Sequence, residues 1–429
     1  METVINRTLA PVAGEIEKIA VAEARKFALD NGIPVYALSA GFQDLVKIEL
    51  LFPNKPFDLK NPLLNQATNR MLTEGTSKYN ARQIADQIDN YGAFYETDEN
   101  LDYTSVILYS LNKHLKNVLP YFADIIHDPV FPVKELDVFI QNNKQRLIVD
   151  NEKVNSVARR KFNEIIFGEK HPYGYFIRTK DYDTLQRGHL SEMHRQKYVP
   201  TNCTIIISGL VKDESINILN EYFGKAVSSN GHELKKSLVP FSPSAEKKHV
   251  VSKENTVQSA IRIGKPFINR THSDYPGMAF VNTLLGGYFG SRLMSTIREE
   301  KGYTYGIGSA MVSMRQDGYF FITTEVGSEV TAPAIDAIYN EIELLKSEFV
   351  ESDELEMVRN YMLGTFLKST DGAFQLAERF KSIFLYNLDY TYYERYVNKI
   401  RTIEPDEIQN LAGKYFTSGD FFELVVGHK

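Results

Sequence analysis

The chain repeats itself at a fixed distance. TLQRGHLSEMHRQKYVPTNCTIIISG begins at Thr184 and TIEPDEIQNLAGKYFTSGDFFELVVG begins at Thr402, an offset of 402 − 184 = 218 residues. The closing glycines keep it, since 427 − 209 = 218. Each segment reads as a helix with Lys-Tyr near its end, then a turn, then an apolar strand. A second pair agrees: LKNVLPYFADIIHDPVFPVKELDVFIQNNKQRL resembles APAIDAIYNEIELLKSEFVESDELEMVRNYMLGTF, with Glu135-Leu136 opposite Glu354-Leu355. Two matches at nearly one offset imply a duplicated α/β unit. At 429 residues the chain is also too long for one small core. Residues 226–250, AVSSNGHELKKSLVPFSPSAEKKHV, are rich in Ser, Pro and Lys without periodicity, which is the composition of a linker. The expected domains are 1–225 and 248–429, with a linker over 226–247.

Within the first copy, residues 33–52 read as two strands around a turn. Residues 93–110 read as a hairpin with Asp-Glu-Asn-Leu-Asp at its bend. Helical patterns begin near Lys113 and Val133. Strands followed by segregated helices predict an α+β fold: two homologous domains, each an antiparallel sheet flanked by helices.

Composition excludes several functions. The net charge of −6 argues against a nucleic-acid surface. The single cysteine, Cys203, lies in an apolar run and reads as a small buried strand residue. No apolar run reaches the ~18 residues of a membrane span, and the N-terminus lacks a basic stretch followed by an apolar one. These features lead to the expectation of a soluble, cytoplasmic protein, or a periplasmic one if a leader has been removed.

The histidines offer no metal motif. HLSEMH places His189 and His194 five apart on a helix, pointing ~140° away from one another. LLGGYFGSRL, residues 284–293, lacks the G-K-[ST] of a phosphate loop. It reads either as a tight turn between helices or as a lip exposing Tyr288 and Phe289 beside a cleft. In STIREEKGYTYGIGSAM a helix carrying Arg298 ends at Gly302, and Tyr305 follows early in a strand. An Arg and a Tyr that meet across such a turn could hold a carbonyl and donate to an oxyanion. Taken alone, the same residues fit a helix C-terminal cation and a packed tyrosine. In LLNQATNRMLTEGTSKYN, Gln66, Asn69 and Arg70 fall at i, i+3 and i+4 and are expected on one helix face.

LLGGYFGSRLMSTIREEKGYTYGIGS, FGEKHPYG, HRQKYVPTNCTIIISG and the duplicated unit together resemble the pitrilysin/insulinase-type zinc peptidases, in the processing-peptidase-like branch with two homologous domains. Members of that family carry an inverted H-x-x-E-H zinc motif on a first-domain helix and a further glutamate downstream. Counting back from Gly75-Thr76, the resemblance places the motif at Gln66, Asn69 and Arg70, and the downstream position near Arg146. Amides and guanidinium groups do not replace imidazole or carboxylate ligands. Two fixed cations would repel a dication, and Asn69 is no general base. The family's Arg/Tyr pair, which holds the substrate carbonyl, is matched by Arg298 and Tyr305. The resemblance therefore implies a subunit without metal. Zinc is expected in a homologous HxxEH-bearing partner, Arg298 and Tyr305 would act in trans, and Gly286, Gly287, Tyr288 and Phe289 would contact peptide. A homodimer of the isolated chain is a further possible association. The alternative is a retired scaffold or assembly protein of the same fold.

Overall fold

The protein is described by a computed structural model covering residue 16 and residues 19–225, 239–254 and 256–427. The apolar runs become two sheets. The first contains β1 (Arg25–Ala28), β2 (Pro34–Ser39), β3 (Leu45–Pro53), β4 (Phe94–Glu99), β5 (Tyr103–Leu111) and β6 (Thr204–Gly209), in the order β1-β2-β6-β3-β5-β4. The second contains β7 (Lys248–Ser252), β8 (Gln258–Phe267), β9 (Thr304–Ser313), β10 (Gly318–Gly327) and β11 (Phe422–Gly427), in the order β7-β11-β8-β10-β9. Apart from β1 the two orders correspond strand for strand. The sequence offset persists in space, since β11 and β6 start 422 − 204 = 218 residues apart.

The fold class is α+β, as the sequence predicts, but neither sheet is purely antiparallel. β6 inserts between β2 and β3 and runs parallel to β2; β11 runs parallel to β7 in the same way. The two strands that adjoin one another in sequence are therefore not neighbours in the sheet. The hairpin at β4 and β5 forms as expected.

Each half lends a helix to the other. Helix Val154–Phe167 packs Phe162, Ile165 and Ile166 against Ala260, Leu424 and Val426 of the second sheet. Helix Ala373–Phe384 packs Leu376, Ala377 and Phe380 against Leu38, Leu51 and Ile206 of the first. Burying such side chains stabilises by about 1.5–3 kcal/mol each. Part of the expected linker, 226–238, lies outside the described residues. The rest is a strap: Ser242 and Ser244 donate their N–H groups to the carbonyls of Phe167 (3.0 Å) and Ile165 (2.9 Å).

Four charges join the borrowed helix to the first sheet. Lys381 Nζ lies 2.9 Å from Glu49 and 2.8 Å from Glu378, and Lys47 Nζ lies 2.8 Å from Glu378 and 3.3 Å from Glu49. Lys47, Glu49 and Lys381 are buried. Burial alone would depress the Lys381 pKa, yet Glu49 and Glu378 more than reverse this and raise it. Removing one member leaves buried charge uncompensated. Lys381→Met is expected to cost about 3 kcal/mol in urea unfolding; a loss under about 1 kcal/mol would show that Lys47 alone satisfies Glu49.

Candidate functional site

Helix Leu64–Met71 turns Ala67 and Met71 into the core. Gln66 and Arg70, four apart, lie on one side of the helix, while Asn69, ~100° from Arg70, is the one turned toward the sheet. Gln66 and Arg70 are exposed and converge on Glu99 at the end of β4. Gln66 Nε2 donates to Glu99 Oε1 at 3.1 Å, and Arg70 donates to the same oxygen through Nε (3.0 Å) and Nη2 (2.7 Å). Asn69 points the other way and is fully buried. Its amide donates to the carbonyls of Asp98 (3.0 Å) and Ser105 (3.1 Å), and its oxygen accepts from the Tyr198 hydroxyl (2.9 Å). This corrects the expectation of a common face: Asn69 is a packing residue.

The sequence count also led to Arg146. Arg146 is exposed on helix Val133–Glu152, where its charge acts on the Tyr182 phenol. No hydrogen bond or ion pair among the described residues joins it to Gln66, Asn69 or Arg70. The cation at the motif position, Arg70, is neutralised by Glu99. An exposed amide, a buried amide and a paired guanidinium do not fit a zinc ion.

Beneath the helix lies Lys197, with no exposed surface. Its Nζ donates to Asn54 Oδ1 (2.8 Å) and Asn65 Oδ1 (3.3 Å), both neutral, and burial lowers its pKa to about 7.

In the second half, the Gly-rich segment is neither a plain turn nor an open lip. It follows a wide, π-helical turn at Thr283–Gly287, and a second such turn spans Met294–Glu300. Turns of this kind are rare and often mark functional sites. Gly286 is required where it stands, because a Cβ would lie 2.7 Å from the Ser309 nitrogen. Gly287 leads into Tyr288, whose ring packs 4.7 Å from that of Tyr361, so Tyr288 is half-buried. Phe289 is 64% exposed. Arg292 anchors the segment through two bonds to Glu354, at 2.9 and 2.7 Å. Thr296 donates to the buried Glu341 at 2.9 Å, and burial raises the Glu341 pKa.

Arg298 sits in the second wide turn with its guanidinium carbon 4.7 Å above the Phe289 ring, an arrangement that holds a cation without consuming its donors. Gly302 then reverses the chain with φ +65°. At the start of β9 the register jumps. Thr304 opposes Val326 and Ile307 opposes Thr324, so Tyr305 and Gly306 together face Glu325. This β-bulge is pinned by Thr304, whose hydroxyl donates to the Glu325 carbonyl (2.7 Å) and accepts from the Gly306 N–H (3.1 Å) and the Thr324 hydroxyl (2.9 Å). Bulges re-aim side chains, and Tyr305 is left 93% exposed. Arg298 and Tyr305 do not touch; each is held separately beside the other's element. Sequence reasoning missed Thr304, Thr324 and Glu99. The glycine inside the TYGIG strand was the available signal for the bulge; Glu99 had none, being one acid of an acidic bend.

The family model described as insulinase (peptidase family M16) matches residues 67–174, and that described as peptidase M16 inactive domain matches residues 184–362. The chain belongs to the M16 peptidase family. The uncharacterized zinc protease YmxG of Bacillus subtilis is 22% identical over 83% of this chain and 86% of its own length. The non-peptidase homolog YmxG of Helicobacter pylori is 20% identical over 84% and 83%. Among solved structures, the peptidase M16 inactive domain from Pseudomonas fluorescens superposes with TM-score 0.83 at 20% identity, covering 95% of this chain and 98% of that one. This M16 chain is thus an inactive-type homologue: at its motif positions Gln66 and Arg70 bind Glu99, and Asn69 bonds to backbone carbonyls and to Tyr198. Among the described residues no helix is long and apolar enough to cross a membrane.

Two consequences are measurable. Asn69→Ala removes three buried hydrogen bonds and strands their partners, so a loss of about 2–3 kcal/mol is expected in chemical unfolding; a loss below about 0.5 kcal/mol would mean that the site relaxes around the gap. Lys197 has a folded pKa below its unfolded one. Between pH 7 and about 10.5 the unfolded chain holds the extra proton, so this group makes stability rise with pH across that window. Relative to Lys197→Met, wild type should gain stability from pH 7 to pH 10; a flat difference would place the Lys197 pKa near its ordinary value.

Proposed function

We propose that this chain is the metal-free subunit of a heterodimeric zinc endopeptidase. A homologous HxxEH-bearing partner would supply the zinc and the activated water. Arg298 would donate to the carbonyl of the scissile peptide, and the Tyr305 hydroxyl would donate to the oxyanion that forms on water attack. Phe289 and the segment 286–288 would lie along the substrate.

The observation that carries this reading is the presentation of Tyr305. A bulge with its own hydroxyl network projects a phenol almost entirely into solvent, where no hydrogen bond or ring contact among the described residues uses it. Arg298 is likewise held by a ring rather than by a carboxylate, with its donors left for another molecule. A second reading, a retired scaffold of the same fold, is favoured by the refilled motif positions and by the printed description of the Helicobacter pylori relative as a non-peptidase homolog.

Co-expression with an HxxEH-bearing homologous chain separates them. The complex should cleave an unfolded peptide, and Tyr305→Phe should leave assembly intact while lowering kcat on the order of a hundredfold or more, the usual cost of one oxyanion donor. Turnover by the variant within a few-fold of wild type would remove Tyr305 from the chemistry. Assembly without any cleavage would favour the scaffold.

A further inference from the structure

The duplication exposes a charge that its own symmetry leaves uncompensated. In the first sheet Glu49 pairs with Ile206; in the second, Arg262 pairs with Leu424, and 424 − 206 = 218. Arg262 is therefore the counterpart of Glu49. The residue that neutralises Glu49 is Lys381 on the borrowed helix; the borrowed helices start 373 − 154 = 219 residues apart, so its counterpart, 381 − 219 = 162, is the buried Phe162. Glu378 likewise becomes Arg159, a cation where the first sheet has an acid. Arg262 is 5% exposed; its Nε and Nη1 have no hydrogen-bond partner among the described residues, and its guanidinium lies 4.7 Å from the Phe321 ring.

This cation lies behind a cavity of about 810 Å³ between the two halves, whose wall includes Arg159, Asn163, Arg315 and Tyr319. Arg262 occupies the face of β8 that meets helix Val154–Phe167, because Ala260 two residues earlier and Leu424 opposite both pack on that helix. Arg159 and Asn163 are one turn apart on the same helix. Arg159 is exposed to the cavity and lies near enough for its charge to lower the proton affinity of Arg262, after burial. Arg315 Nε is buried without a partner. Of the acids at the cavity, Asp102 accepts from the Tyr173 hydroxyl (2.6 Å) and the Arg315 backbone N–H (2.9 Å), and Glu99 accepts from Gln66 and Arg70 through Oε1, while its Oε2 has no partner among the described residues.

Buried guanidinium donors without an anion are costly, and an oxyanion is the group that satisfies their planar fork. We propose that the wall formed by Arg159, Arg315 and the underlying Arg262 is a binding site for an oxyanion, either free phosphate or the carboxylate of a peptide. The site stands apart from the peptidase reading, since it requires no partner and no metal.

Calorimetric titration of the full chain tests it with three probes: inorganic phosphate, a short peptide rich in Asp and Glu, and the same peptide with those residues amidated to Asn and Gln. Saturable binding of phosphate or of the acidic peptide, weakened more than about tenfold by Arg159→Gln and by Arg262→Met, is the expected result. Phosphate binding identifies a free oxyanion, whereas acidic-peptide binding lost on amidation identifies a peptide carboxylate. Absence of saturable binding by both anionic probes, or unchanged affinity in both variants, overturns the proposal. Arg262→Met should also raise Tm in anion-free buffer, because it deletes an uncompensated buried charge; a fall in Tm would mean that Arg262 is already satisfied, and would equally overturn it.

Discussion

The exchange of one helix between halves is the constraint on which the remaining structure depends. β3 is buried along nearly its whole length, on one face by helices of its own half and on the other by Ala373–Phe384. A strand covered on both faces reads as a continuous apolar run, and LVKIELLF nearly does. Its two charges, Lys47 and Glu49, are tolerable only because the borrowed helix brings Lys381 and Glu378 to them. The halves are consequently one frame. The Glu99 cluster on the first and the Tyr305 bulge on the second are held in fixed relation, and Asp102 strengthens this by accepting from the Arg315 backbone across the junction.

The refilled motif shows how metal chemistry becomes packing. Gln66 and Arg70 share a single carboxylate oxygen, so the charges at this surface cancel locally. Asn69 plugs the gap between the helix and β5 by giving two hydrogen bonds to carbonyls. A glutamate at 69 in the same rotamer could still accept from the Tyr198 hydroxyl, but it would set its charge against those carbonyls. Histidines at 66 and 70 alone would therefore not recreate the family's constellation. The electrostatic background has changed as well, because Lys197 waits beneath with only amide partners.

Much of this was legible in the sequence, and what was not has identifiable causes. The 218-residue offset gave the duplication because both copies keep the same helix–turn–strand spacing ending in glycine. Cys203 and the β4–β5 hairpin followed from local pattern. The position of β6 between β2 and β3 did not, because strand pairing across such a separation leaves no local trace. Nor did the exchange of helices, since the apolar stripe of Ala373–Phe384 specifies that a face is buried and not which sheet buries it. At the site, spacing alone put Gln66, Asn69 and Arg70 together, whereas the 100° step between residues 69 and 70 separates them. Arg298 and Tyr305 were found, but the ring that holds one and the bulge that projects the other come from residues with no motif of their own.

The two donors are organised by different physics, and that difference bears on why they persist. Stacking on Phe289 fixes the plane of the Arg298 guanidinium while leaving its N–H groups available, so little side-chain entropy remains to be lost when a carbonyl arrives. Tyr305 gains its direction from backbone geometry, a register jump secured by Thr304 and Thr324, and not from any contact of its ring. Both devices rest on irregular elements: π-helical turns and an edge-strand bulge. Regular helix and ladder would satisfy the backbone better at these places. A chain selected only to pack against neighbours has no need of such features, while one that must present two donors to a peptide does. Their presence in a chain whose motif positions hold no metal-binding groups is what the proposed divided labour rests on, in which this polypeptide would give electrophilic assistance and a partner would hold the ion.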